Sequence, residues 1–386
     1  MPTNSDDKIT IIANQTVSGL NGADEFYYTS GNATIHGGDL NERYDSNVYG
    51  EKTGGDRLYF KTSPVSLTFS TSEDGVATSS KGRLTFTGIE RIHLGDGNDT
   101  VNAASATLES AHGGTPVHGL TLYAGGGNDS IIGSRGGDFI DGGSGNDTIR
   151  AGAGDDFVQS STGNDLIFGG AGTDNIRWGQ GNFDEVVGND TIYGGAGSDV
   201  INIWIKAGWE NSAGVATNIT SIAADGSTAG NAATNIGGAR STLTYSQFET
   251  VWTHEGRDTM TGANATISST GTGFHGNTRW GDDVLIGSRG NDTLEGGEGR
   301  DTITGGAGND LISANGEFYN SYAPGDGDRD TLIFRGAFGK DTVLGFDAGV
   351  DVIDLGGASY RETVTSQGTL ITVGTNTILL AHVFDW

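Results

Sequence analysis

The chain contains no cysteine, which excludes disulfides, thiolate metal sites and a cysteine nucleophile. Proline is nearly as scarce, at 4 of 386 residues, so neither a collagen-like nor a proline-rich linker reading applies. Positive charge is short as well: 21 Lys and Arg face 49 Asp and Glu, for a net charge of −28. Nucleic-acid binding needs clustered Lys and Arg, and an anionic membrane surface repels such a chain. No apolar run approaches the ~18 residues of a membrane helix, so no transmembrane segment is expected. The opening Met1–Lys8 has neither a basic region nor an apolar stretch, unlike a general secretory signal. That leaves a cytoplasmic protein, or export by a route that does not read the N-terminus. Strong helix signals appear nowhere. Only 34% of residues are apolar, so something must neutralise the acid if the chain is to fold.

What the chain has is glycine, 68 residues against an ordinary share of about 7%, and a period. Asp129, Asp138, Asp147, Asp156, Asp165 and Asp174 follow one another at steps of nine. Asp283, Asp292, Asp301 and Asp310 repeat the step. Two residues after each stands a large aliphatic, from Ile131 and Ile140 to Ile303 and Ile312. Two residues before each stands glycine, including Gly127, Gly136, Gly145, Gly154 and Gly163, then Gly290, Gly299 and Gly308. Nine fits neither a helix nor a simple hairpin. It reads as a six-residue turn followed by a three-residue strand with one buried aliphatic. A flexible Gly/Asn/Asp linker would not keep an aliphatic in phase with an acid.

Gly142-Gly-Ser-Gly-Asn-Asp147-Thr-Ile149-Arg150 and Gly305-Gly-Ala-Gly-Asn-Asp310-Leu-Ile312-Ser313 are clean copies. They resemble the RTX (repeats-in-toxin) nonapeptide. The resemblance implies an all-β fold, a right-handed parallel β-roll (a β-solenoid) with two nonapeptides per turn and stacked calcium-binding turns. Its cofactor is Ca2+, several ions, held by the sixth-place Asp and by backbone carbonyls. Carried over, one edge takes Asp129, Asp147 and Asp165, and the other Asp138, Asp156 and Asp174. In the second run Asp283 goes with Asp301, and Asp292 with Asp310. Asp99, Asp190 and Asp199 stand in weaker copies and join the expected metal set. Oxygen ligands without cysteine select a hard cation, and such low-affinity sites work outside the cell.

The expected organisation is a degenerate β region over 1–93 and a calcium-binding roll over 94–202. A non-repeat excursion follows over 203–280, with a roll restart near 248–262. A second calcium run covers 281–329. A β cap with the resemblance of a type I secretion signal covers 330–386. Gly22-Ala-Asp24-Glu-Phe26 is a weak copy, followed by a turn with Ala33 in the metal place. Ile89-Glu90-Arg91-Ile92 and Phe248-Glu249-Thr250-Val251 each lie nine residues before an Asp and read as metal-free rungs that restart a roll. Ile203 to about Arg240 reads as either a folded excursion or a functional loop, and 40–86 as β.

No catalytic constellation stands out. There is no G-x-S-x-G, and His254-Glu255 opens like a zinc-protease helix but meets Asp258 where the second His belongs. Trp204, Trp209, Trp252 and Trp280 cluster around the excursion, where burial as a plug is the expected fate. Three functions are carried forward. The first is a secreted, calcium-dependent structural protein of the cell surface or matrix, self-associating and surface-layer-like or adhesive. The second is a polysaccharide-active enzyme of lyase or epimerase type. The third is a carbohydrate-binding module, with a cell-surface or matrix polysaccharide as partner. The reading favours a non-enzyme, because no stretch has the length and hydrophobicity of a separate catalytic domain.

Overall fold

The structure is a computed structural model and describes residues 6–20, 22–38, 55–61, 64–108, 118–180, 186–205, 213–234, 240–315 and 326–384. Trp209, His112 and the C-terminal Trp386 therefore lie outside the described residues. The fold is all-β, a parallel β-roll. Two compact units divide the chain, residues 1–177 with 187–199, and residues 178–186 with 200–386. No described helix is long and apolar enough to cross a membrane.

In the first unit one sheet stacks the strands Lys8–Ile11, Glu25–Tyr28, Arg57–Phe60, Arg91–His93, His118–Tyr123, Gly137–Asp141 and Phe157–Ser160, all parallel. The other carries Thr100–Asn102, Ser130–Ile132, Thr148–Ala153, Leu166–Gly172 and Asn189–Gly197. Ile131 pairs with Ile149 and Ile149 with Ile167, while Ile140 pairs with Val158. One turn is thus two nonapeptides, as the resemblance implies. All five aliphatics are fully buried, each stabilising the stack by roughly 1.5–3 kcal/mol. The next step, Ile167 to Ile192, spans 25 residues, seven more than a regular turn, because the period slips between Trp178 and Val187.

Glycine at the fourth place follows from the stacking. Gly145 sits at φ 125°, and a Cβ there would strike the Gly127 carbonyl one rung away. The fifth-place Asn adds a ladder of its own. The Asn146 N–H donates to Asn128 Oδ1 (2.8 Å) and the Asn164 N–H to Asn146 Oδ1 (2.7 Å). On the outer face Tyr27, Tyr59, His93 and Tyr123 stack at 4.4–4.9 Å between centroids, within 12° of parallel.

Part of 40–86 is a three-stranded antiparallel meander, Val65–Phe69, Gly75–Ser79 and Gly82–Thr87. Its outer strands rejoin the roll in parallel, against Thr100–Asn102 and Ala33–Gly38. The second unit repeats the device. Ala213–Ile222, Thr228–Thr234 and Ser241–Phe248 form a meander whose first strand pairs in parallel with Arg257–Thr261. The described part of the 203–240 stretch is therefore folded excursion, not irregular loop. A meander backs its inserted strands with backbone bonds that a loop would leave unmade.

The second unit then resumes the roll, with Met260, Leu285, Ile303, Leu332 and Ile353 in one column. Its tail, Arg361–Thr365, Gly368–Val373 and Asn376–Ala381, turns antiparallel and closes one sheet by pairing with Lys340–Leu344. Of the tryptophans, Trp178 is fully buried. Trp204, Trp252 and Trp280 are only half-buried, short of the plug expected for them.

Candidate metal centre

Each rung ends in a turn, and the turn delivers its sixth-place Asp to the same spot above the last. The backbone N–H of Asp99 donates to Asp129 Oδ1 (2.7 Å), that of Asp129 to Asp147 (2.8 Å), and that of Asp147 to Asp165 (2.8 Å). Asp165 donates in turn to Asp190 Oδ1 (2.7 Å). The other edge of the first unit runs Asp138, Asp156, Asp174, Asp199 with bonds of 2.7, 3.0 and 2.9 Å. In the second unit Asp283 stacks on Asp301 and Asp292 on Asp310, both at 2.9 Å. The ladders run further than the clean copies. Asp258 donates to Asp283 (2.7 Å), Asp301 to Asp330 (2.8 Å), Asp330 to Asp351 (3.0 Å) and Asp310 to Asp341 (2.9 Å).

One oxygen of each carboxylate is thereby occupied. The other is the informative one. Oδ2 of Asp99, Asp129, Asp147, Asp156, Asp165, Asp174, Asp258, Asp283, Asp301, Asp310 and Asp341 is buried without a hydrogen-bond partner. A buried carboxylate with an unmatched oxygen is among the costliest arrangements in a fold. Burial accordingly pushes these acids upward, Asp99, Asp147, Asp165 and Asp174 to about 7 and Asp301 and Asp310 to about 8. Asp156 rises to about 9, burial first and the neighbouring Asp138 charge second. Asp258 and Asp283 are displaced upward together, again by burial.

These turns ask for a positive charge. The donor set is carboxylate and carbonyl oxygen, which suits a hard divalent cation. Among the described residues no three acidic or histidine side chains converge on one point. A cation between rungs would meet one or two carboxylates and draw its other ligands from turn carbonyls. Glycine makes room for it. Beside Gly169, the space a Cβ would fill is faced by Asp174 Oδ2 and the Gly194 carbonyl.

The turns from Asp99 to Asp199 and from Asp283 to Asp310 fall within matches to the RTX calcium-binding nonapeptide repeat. That family, whose description is of four repeat copies, matches residues 85–105, 123–158, 150–182, 187–202 and 278–312. RTX repeats bind calcium ions in multiple turns. No curated protein matches the chain. Among solved structures, the extracellular lipase LipA from Serratia marcescens aligns at 17% identity over 78% of this chain and 42% of its own, with a TM-score of 0.19. The chain thus spans less than half the length of that lipase, and the likeness carries no argument about activity.

Two RTX turns depart from the rest. In Gly133-Ser-Arg-Gly-Gly-Asp138 the Ser134 N–H donates to Asp138 Oδ2 (2.6 Å) and its Oγ to Oδ1 (2.7 Å). Ser288 treats Asp292 likewise, with its N–H on Oδ2 (2.6 Å) and its Oγ on Oδ1 (2.9 Å). Both oxygens of these two Asp are satisfied by their own turn. Gly136 and Gly290 also depart, being absent from the positive φ values that Gly127, Gly145, Gly154, Gly163, Gly299 and Gly308 adopt. Their N–H groups bond Ser134 Oγ (3.1 Å) and Ser288 Oγ (2.9 Å) instead. The period treats all ten strong Asp alike. Ser161 holds the same second place before Asp165 but donates to Asp141 Oδ1 (3.1 Å), so what the two departing turns share alone is the opening Gly-Ser-Arg-Gly. Asp147→Asn should raise the calcium needed for half-folding several-fold, because it removes a charge that only a cation matches. Asp138→Asn should shift it far less. Calcium titrations followed by circular dichroism decide, and equal shifts would contradict the distinction.

Proposed function

We propose that this chain is a secreted, calcium-dependent structural protein of the cell surface or extracellular matrix, folding when it meets calcium outside the cell. The observation that supports this most is the ladder of half-satisfied buried carboxylates in both units. Such a roll is unfinished without the cation, so calcium binding becomes folding free energy. RTX repeat proteins are typically exported by type I secretion, which suits a chain that stays unfolded where calcium is scarce. The tail from Asp330 is the region proposed to carry the export signal, besides closing one sheet.

One observation supports self-association. Among the described residues, Lys8–Ile11 and Gln15–Leu20 each pair with a strand on one side only, and Ile12 beside them is 62% exposed. Unpaired strand edges invite pairing with another chain. The expected result is a calcium-dependent rise in scattering mass at high protein concentration. A sharp monomer in millimolar calcium would sink the assembly reading.

A polysaccharide-directed role, as enzyme or binding module, is the second reading. One cluster in the second unit favours it. Arg279 lies over Trp252 at 4.5 Å and Trp280 at 5.6 Å. Next to it His275 Nε2 meets Glu295 Oε1 at 2.5 Å, and Asn277 donates to Glu295 Oε2 (2.8 Å). The stacked rings from Tyr27 to Tyr123 do not favour it, since their faces cover one another and present only edges. Incubation with acidic polysaccharides, read for cleavage, epimerisation or retention, separates the two readings.

A further inference from the structure

We propose that the first rungs of the first unit hold a cation of their own at Asp24, in a ladder with Asp56 and upstream of every residue the RTX family matches. The proposal rests on the calcium reading of the repeats and extends it to a region where the motif is broken. Asp24 is fully buried and Asp56 1% exposed. The Asp7 N–H donates to Asp24 Oδ1 (2.8 Å), the Asp24 N–H to Asp56 Oδ1 (2.7 Å), and the Asp56 N–H to Glu90 Oε2 (2.5 Å). This is the ladder of the RTX turns, closed by a glutamate.

The second oxygen repeats the pattern as well. Asp24 Oδ2 is buried without a hydrogen-bond partner. It faces the space beside Gly19, and so does the Gly37 carbonyl; a Cβ on Gly19 would collide with both. One rung on, the space beside Gly37 is faced by Asp56 Oδ2 and the Gly88 carbonyl. The matched turns show the same trio of glycine, Asp Oδ2 and next-rung carbonyl. It occurs at Gly169 with Asp174 and Gly194, and at Gly296 with Asp301 and Ala314. The trio also occurs at Gly133 with Asp138 and at Gly287 with Asp292, whose acids their own serines satisfy. What calls for a hard divalent cation at Asp24 is its buried, unpartnered Oδ2.

The sequence conceals this ladder for two reasons. Gly19-Leu-Asn-Gly-Ala-Asp24 has leucine where the repeat prefers a second glycine. Gly37 and Asp56 are separated by an insertion, residues 39–54, so the acid stands far out of phase. The fold restores the phase by pairing Glu25–Tyr28 with Arg57–Phe60.

The test is the number of calcium ions bound by the full chain, from equilibrium dialysis in millimolar calcium chloride. It compares wild type, Asp24→Asn and the pair Asp24→Asn with Asp56→Asn. Asparagine keeps the Oδ1 acceptor of the ladder and removes the charge. The expected count falls by one in the single variant and by no less in the pair, with the circular dichroism of wild type retained. Folded variants that bind as many ions as wild type would overturn the proposal. A wild type that binds no calcium would instead overturn the reading it rests on. Should the pair fail to fold, the single variant decides by the same count. Gly19→Ala, which crowds the cradle and leaves both carboxylates in place, gives the second readout. It too should lose an ion, and an undiminished count in folded Gly19→Ala would overturn the proposal.

Discussion

In excess chelator at neutral pH the purified chain should show little β signal by circular dichroism, and gain it cooperatively as calcium approaches millimolar. The reasoning is a balance of charges. Successive rungs of a sheet lie about 4.8 Å apart. Two carboxylates at that spacing repel by about 3 kcal/mol at an effective dielectric of ~20. Asp129, Asp147 and Asp165 line up this way on one edge, as Asp283, Asp301 and Asp330 do in the second unit. A domain is stable by only about 5–15 kcal/mol, so a few such pairs exhaust the margin. The aliphatic column offsets part of this, but one aliphatic per nonapeptide is a thin core. Calcium reverses the sign of the term, and it does so at many turns together, which makes the transition steep. A chain with full β signal in excess chelator at pH 7.5 would refute the claim.

How far the sequence carried this conclusion depends on phase. Where Asp, Gly and Ile keep step, as from Gly127 to Ile176, the RTX resemblance can be laid on residue by residue, and it is the resemblance that implies the stacking and the edge pairing. Where the step breaks, the reading stopped. Asp24 is the clearest case. It stands next to a turn with Ala33 in the metal place, so it reads as part of a weak, degenerate copy. The fold instead places it in a ladder with Asp56 and Glu90. The serine that satisfies Asp138 was in plain view, yet its effect depends on a side-chain rotamer no spacing encodes. The two meanders escaped for another reason. Their strands pair with neighbours in sequence, and only their outer members touch the roll.

Acidity should act in opposite directions with and without calcium. Without the cation, burial holds Asp156 at about 9, Asp301 and Asp310 at about 8, and Asp147 and Asp165 at about 7. In the unfolded chain the same groups titrate near 4. A carboxyl whose folded value is raised favours the folded state while protonated. That contribution is complete below about pH 4 and is lost as pH climbs through 7 to 9. Holding one aspartate ionised against a rise from about 4 to about 7 costs about 4 kcal/mol, so a handful outweighs the stability of the fold. Calcium-free protein should therefore gain β structure on going from pH 8 to pH 5. Calcium-loaded protein should do the reverse. The ion binds the ionised carboxylates, so protons compete with it, and loading at pH 7 releases protons. Circular dichroism across pH 4.5–9, in calcium-free buffer and in millimolar calcium, gives two curves of opposite slope. A calcium-free chain more structured at pH 8 than at pH 5 would show that the buried carboxylates are not what limits the fold.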